Sequence, residues 1–201
     1  MKKLILVLLS TLLLTGCTVV RIDTEKIDNI INVVLSKNNK LYNHTGKGYK
    51  YYLPQGTINI DTSEYNEKLY ARGNYYYLYV DINSFYYKTE FEYEENKDAY
   101  YSRYLDINGK KGYLEINEID GLYLIEFTYN YAKIEALVEE ASINSVILDA
   151  TYILSTMKYN TDVIKIVLNE DYFTNKDVVY DIFTPKKQSS DALGYNEEEA
   201  K

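Results

Sequence analysis

The sequence predicts an α+β domain: an antiparallel meander sheet with an N-terminal and a C-terminal helix packed on it. Three observations predict it. Apolar residues recur with helical spacing from residue 27 to 35. A two-residue alternation then governs most of residues 49 to 138, and helical spacing returns over residues 143 to 157. A helix, a run of strands and a helix, in that order, make a layered fold in which helices cover one face of an antiparallel sheet.

The first helix follows from Ile27, Ile30, Ile31, Val34 and Leu35, which fall on one face, with Thr24 as the predicted N-cap and Asn38-Asn39 as the stop. Short strands are predicted at Tyr49–Tyr52 and Ile58–Asp61, around Pro54 and Gly56. Residues Glu64–Arg72 and Tyr75–Ile82 read as a hairpin about Gly73-Asn74. In its second arm Tyr76, Leu78, Val80 and Ile82 share one face, and Tyr75, Tyr77, Tyr79 and Asp81 the other. Phe85 to Glu94 alternates aromatic with charged residues and reads as a half-buried strand. A further hairpin spans Tyr100–Ile107 and Tyr113–Glu118 across Asn108-Gly109. Ile119-Asp120-Gly121 then turns the chain into one long strand from Leu122 to about Val138. Ser142 opens the second helix, whose buried stripe is Ile143, Val146, Ile147, Ala150, Ile153, Leu154 and Met157. Lys158 and Tyr159 lead out to a segment, Val163–Phe183, that is assigned no element, and the tail after Pro185 is polar with the composition of disorder.

The chain of 201 residues has a formal charge of −8. Such an acidic surface disfavours nucleic acid and anionic headgroups as partners. Its 25 Tyr stand against 5 Phe and no Trp. A/T-rich coding would raise both Tyr and Phe, so the ratio points to positions that use the phenolic oxygen at half-exposed sites.

The single cysteine ends the most apolar run. Lys2-Lys3 precede eleven residues, Leu4 to Leu14, interrupted only by Ser10 and Thr11. That is a secretory h-region, and as a helix it would reach only about 16 Å, short of a membrane span. The run closes Leu14-Thr15-Gly16-Cys17. This stretch resembles the lipobox of bacterial lipoprotein precursors. The resemblance implies a diacylglycerol thioether at Cys17, cleavage of the leader before it, and anchorage on the extracytoplasmic face of the cell membrane. The implied organisation is a signal peptide at 1–16, a lipidated Cys and short tether at 17–23, one domain at 24–184 and a polar tail at 185–201. Seven residues of tether reach at most about 25 Å, which keeps the domain near the headgroups. With Cys17 acylated, no thiol remains for a disulfide, a thiolate metal site or a nucleophile. Removing Lys2 and Lys3 with the leader takes the charge from −8 to −10. The segments "GKGYKYYLPQG" and "ILSTMKYN" are similar to the bounding segments of Mog1/PsbP-like sandwich domains, a likeness that carries no functional motif.

Candidate chemistry is sparse. His44, the sole histidine, reads as an ordinary loop residue, and Asn43-His44-Thr45 is a sequon expected to stay unmodified. "DINGKKGYLE" aligns partly with a calcium loop through Asp106, Asn108, Gly109 and Glu115, but Tyr104 stands where the first carboxylate is needed, so a hairpin is expected. Glu90, Glu92, Glu94 and Glu95 read as a solvated strand face. Tyr75, Tyr77 and Tyr79 are the candidate ligand-binding strip, since Tyr offers large contact area with few rotatable bonds. The reading set against it is a strand covered on both sides. No catalytic set, metal site or cofactor is expected. The function read from the sequence is a lipid-anchored binding or assembly module with a protein or cell-envelope partner. The alternatives are a structural subunit of a membrane complex and a carboxylate-based extracytoplasmic hydrolase.

Overall fold

The structure, a computed structural model, describes residues 26–174. The leader, Cys17, Thr24 and the polar tail therefore lie outside the described residues. Helix α1 (Ile27–Leu35) buries Ile30, Ile31, Val34 and Leu35, as its spacing predicts, and Lys26 precedes it with no side-chain cap bond. Next come β1 (His44–Gly46), β2 (Tyr49–Tyr51), β3 (Ile58–Ser63), β4 (Asn66–Ala71), β5 (Asn74–Val80) and a short helix α2 (Ile82–Tyr87). Four strands follow: β6 (Tyr101–Ile107), β7 (Lys110–Ile119), β8 (Leu122–Tyr129) and β9 (Ala132–Val138). A 3-10 turn (Glu140–Ser142) leads into α3 (Ile143–Thr156), then β10 (Lys158–Tyr159) and α4 (Thr161–Thr174).

The α+β class and the two covering helices hold, but the strands form two sheets. The large sheet has the order β3-β4-β5-β9-β8-β7-β6, all antiparallel. It is two meanders joined where β5 meets β9. The small sheet is β1-β2-β10, which pairs Tyr49 with Tyr159 and Lys50 with Lys158. The segments "GKGYKYYLPQG" and "ILSTMKYN", far apart in sequence, are thus neighbours.

Three local expectations are corrected. The first hairpin turns at Arg72-Gly73, both with positive φ, one residue earlier than predicted, and its second arm ends at Val80. Residues Phe85–Glu94 do not form a strand. The Asp81 carboxylate accepts from the Ser84 amide at 2.8 Å and starts α2, and Lys88, in the left-handed region, ends it. The alternation beyond it keeps its meaning for packing, because the rings of Phe91 and Tyr93 stack on Tyr113. The chain there crosses the sheet without forming a backbone ladder with it. Side chains take that place: Glu95 accepts from the Tyr104 amide and Ser102 from the Asn96 amide, both at 2.8 Å. Finally, Leu122–Val138 is a hairpin and not one strand. Its turn is Asn130-Tyr131, both at positive φ, and the preference for Gly at such turns hides it from the sequence.

One face of the large sheet is apolar and covered. Tyr76, Leu78, Val80, Leu114, Ile116, Ile125, Phe127, Ile134 and Ala136 are buried there. All seven residues of the α3 stripe are buried too, and α3 packs on β8, β9 and α1. Gly112 on β7 is required by this packing, since a Cβ there would overlap the Thr128 carbonyl oxygen of β8.

Candidate functional site

Two constellations of polar side chains stand out, one closed and one open. The closed one centres on Glu67 of β4. Alternation along β4 points Glu67 to the covered face, beside Leu78 of β5. The small sheet lies over it, and its side chain has no exposure. A carboxylate offers about four acceptor sites, and four side chains gather on this one, three of them at Oε2. Tyr49 donates to Oε1 at 2.6 Å and Tyr51 to Oε2 at 2.8 Å. Asn59 Nδ2 donates to Oε2 at 2.5 Å, and His44 Nε2 lies 2.9 Å from the same oxygen. Burial first, together with Glu67, pushes both tyrosine hydroxyls well above their ordinary range, so they stay protonated donors. His44 is therefore no ordinary loop residue. It opens β1 and its ring lies 4.9 Å from that of Tyr51. Sequence reasoning passed over Glu67. Its only signal is an acidic residue in phase with Leu69 and Ala71 on an otherwise apolar strand face.

A second enclosed acid, Asp149 of α3, accepts from the Tyr76 hydroxyl at 3.1 Å and pairs with Arg72. It ties the helix to the first hairpin. Asn43 of the sequon is held by the Leu53 backbone at both ends of its amide, at 2.6 and 2.9 Å.

The second constellation lies on the face of the large sheet opposite the helices, where Tyr113, Glu126, Thr128 and Lys133 are buried and the β4–β5 part is exposed or half-buried. Register places Lys68, Tyr77, Glu135, Glu126, Glu115 and Ser102 in one row across six strands. The adjoining row holds Tyr79, Lys133, Thr128, Tyr113 and Tyr104. Tyr75 is 45% exposed, while Tyr77 and Tyr79 are half-buried. Lys68 lies over the rings of Tyr75 and Tyr77, 4.6 and 5.8 Å from their centroids, and Lys133 lies 5.2 Å over Tyr79. Tyr79 is pushed up to about 12 by burial and then by Glu135. The Tyr75, Tyr77 and Tyr79 strip is thus one arm of a larger aromatic and charged surface. Glu90, Glu92, Glu94 and Glu95 are exposed as expected, but in the irregular crossing segment and not on a strand. The loop from Asp106 to Glu115 is a hairpin that pairs Asp106 with Lys111. Its Glu115 is engaged by Tyr93, Asn96 and Asn117.

Within the row, two neighbouring carboxylates are driven apart. Burial raises Glu126 to about 7, with Lys133 opposing and Glu135 and Glu115 adding to the rise. Burial also acts to raise Glu115, but hydrogen bonds from Asn117, Tyr93 and Asn96 together hold it below its ordinary value. Linkage gives a sign. The Glu126 carboxyl in the folded state binds its proton more tightly than in the unfolded chain, so stability falls as pH rises from about 4.5 to about 7. Glu126→Gln is expected to flatten that slope, by up to about 3 kcal/mol across the window. Chemical denaturation at pH 4.5 and 7.5 reads it, and equal slopes in both proteins would contradict the burial argument.

Residues 1–18 match the pattern of a prokaryotic membrane lipoprotein lipid attachment site. The match supports a bacterial lipoprotein precursor, anchored to a membrane by lipid. No curated protein and no solved structure matches the chain. Among the described residues no helix is long and apolar enough to cross a membrane.

Proposed function

We propose that the chain is an extracytoplasmic lipoprotein, acylated at Cys17, whose domain is a non-catalytic binding or assembly module. Its recognition surface is the helix-free sheet face carrying Tyr75, Tyr77 and Tyr79. The observation that carries this reading is that face itself. Half-exposed Tyr rings interleave with the half-buried Lys68 and Glu135 on paired strands, with Lys133 buried beside Tyr79. Rigid aromatic surface with charged groups between the rings suits a protein or envelope-polymer partner. The likeness to Mog1/PsbP-like domains belongs to this reading too. It draws on the pairing of "GKGYKYYLPQG" with "ILSTMKYN" and concerns the fold alone.

The test has two arms. Cys17→Ala should abolish labelling by a radiolabelled lipid precursor and leave the leader uncut; an unmodified Cys17 thiol on the membrane-bound wild-type protein would overturn the anchor. Partners crosslinked to the wild-type protein in membranes should be lost in Tyr75→Ser/Tyr77→Ser, with unchanged melting temperature. Identical crosslinks in that variant would remove the face from the proposal. One observation favours the hydrolase reading: the neighbouring carboxylates Glu115 and Glu126 are held at different proton affinities, as acid–base pairs require. If it holds, a glycan- or peptide-hydrolysing activity must disappear in Glu126→Gln.

A further inference from the structure

The strands of the large sheet define two ends. The chain enters at one of them: Asp28, at the start of α1, accepts from Tyr101 and Arg103, each at 2.8 Å, at the start of β6. The other end is marked by Asn108, which follows β6 and donates to the Leu35 carbonyl at 2.8 Å where α1 stops. A cavity of about 340 Å³ opens at this second end, between the end of α1, the β6–β7 turn and the end of α3.

Its lining is unlike the rest of the molecule. Lys37, Lys110 and Lys158 converge on it, with Asn38, Asn39, Asn108, Ser36 and Ser155 among the other lining groups. No carboxylate lines it, although the chain carries 30 Asp and Glu. Asp106 acts on the Tyr129 hydroxyl from β6 but stays outside the lining. Lys158 donates to the Lys40 carbonyl at 3.0 Å. Among the described residues, Lys37 and Lys110 form no ion pair. The negative ends of α1 and α3 account for a nearby Lys37 and Lys158. They do not account for Lys110, which belongs to β7, is half-buried and faces the like charge of Lys158. Gathering like charges in a partly desolvated cavity is unfavourable unless an anion joins them. Lysine ammonium groups are compact charges suited to phosphate oxygens. The volume falls within the range of small-molecule sites.

We infer that this cavity binds a small multivalent oxyanion, a phosphate or polycarboxylate compound, held by Lys37, Lys110 and Lys158 with the asparagine amides completing its contacts. The ligand is soluble rather than a headgroup of the anchoring membrane. The cavity lies at the end of the sheet opposite Asp28, which stands close to where the described chain begins. Burial and then the Lys158 charge lower Lys110, and a bound anion opposes that shift.

Isothermal titration of the full chain in a phosphate-free, uncharged detergent tests this, with pyrophosphate and citrate as probes. Saturable binding of at least one probe is expected. It should weaken about tenfold or more in Lys110→Gln and in Lys37→Gln, and persist in Lys110→Arg. Lys165→Gln, at an exposed position of α4 outside the cavity lining, should bind as wild type. Lys37 is exposed, so its variant gives the readout even if Lys110→Gln folds poorly. Absence of saturable binding, or equal weakening in Lys165→Gln, would overturn the site. Vesicles of phosphatidylglycerol should not compete with pyrophosphate; competition would reassign the ligand to a lipid headgroup and overturn the soluble assignment.

Discussion

Replacing Glu67 by Ala is expected to destabilise the domain by about 3–5 kcal/mol, because the change strands every group built around that carboxylate. The hydroxyls of Tyr49 and Tyr51, the Asn59 amide and His44 Nε2 all point at its two oxygens, and the Glu67 side chain itself has no exposure. With the carboxylate gone, two buried hydroxyls keep their desolvation cost and lose their acceptor. Glu67→Gln should cost less, since the amide oxygen still accepts while its NH2 opposes the remaining donors. Glu90→Ala, on an exposed residue, should change stability by no more than about 0.5 kcal/mol. Equilibrium denaturation of the three variants gives the comparison. A loss below ~1 kcal/mol in Glu67→Ala would show that the small sheet is not held by this carboxylate. The expected failure is also local. The β1–β2 hairpin should lose hydrogen-exchange protection before the central strands do, since Glu67 ties both of its strands to the large sheet.

The second large effect is expected in α3. Leu154 and Ile147 are fully buried between the sheet and α1. Truncating either to Ala removes apolar surface and leaves a cavity among rigid neighbours, at a cost of about 2–5 kcal/mol. Ile166 of α4, 58% exposed, is the contrast, and Ile166→Ala should be close to neutral. The denaturant dependence should keep its slope in all three, because the surface released on unfolding barely changes. A Leu154→Ala protein within ~1 kcal/mol of wild type would mean that α3 does not close the core.

These two expectations differ in how they were reached. The α3 stripe is written in the sequence, because a helix repeats every 3.6 residues and seven apolar positions share one side of it. The same holds for α1 and for hairpins with a glycine at the turn: Asn108-Gly109 as expected, and the first hairpin to within one residue, at Arg72-Gly73. The lipid attachment pattern at residues 1–18 is equally local, since it is read as a string. From these the sequence by itself determined the α+β class, the covering helices, the inward face of α3, and the anchor pattern; which face of β5 is covered it left open.

What only the tertiary structure decided depends on contacts between distant residues. The Asn130-Tyr131 turn carries no glycine, so the split of one apparent strand into β8 and β9 follows from pairing, not from local propensity. The pairing of β5 with β9 also joins strands 52 positions apart at Val80↔Ala132. Residues 88–96 kept the alternation of a strand, yet Asp81 starts a helix before them and Glu95 occupies an amide of the sheet edge. Side-chain alternation fixes which way a ring points, but hydrogen-bond partners fix whether a ladder forms. Glu67 shows the same limit most clearly. A glutamate among apolar neighbours has no visible reason in sequence, because its donors come from residues 44, 49, 51 and 59 and meet only when the small sheet closes over it. The cavity that gathers Lys37, Lys110 and Lys158 is likewise invisible to any local pattern, since the ends of three elements meet there only in the folded chain.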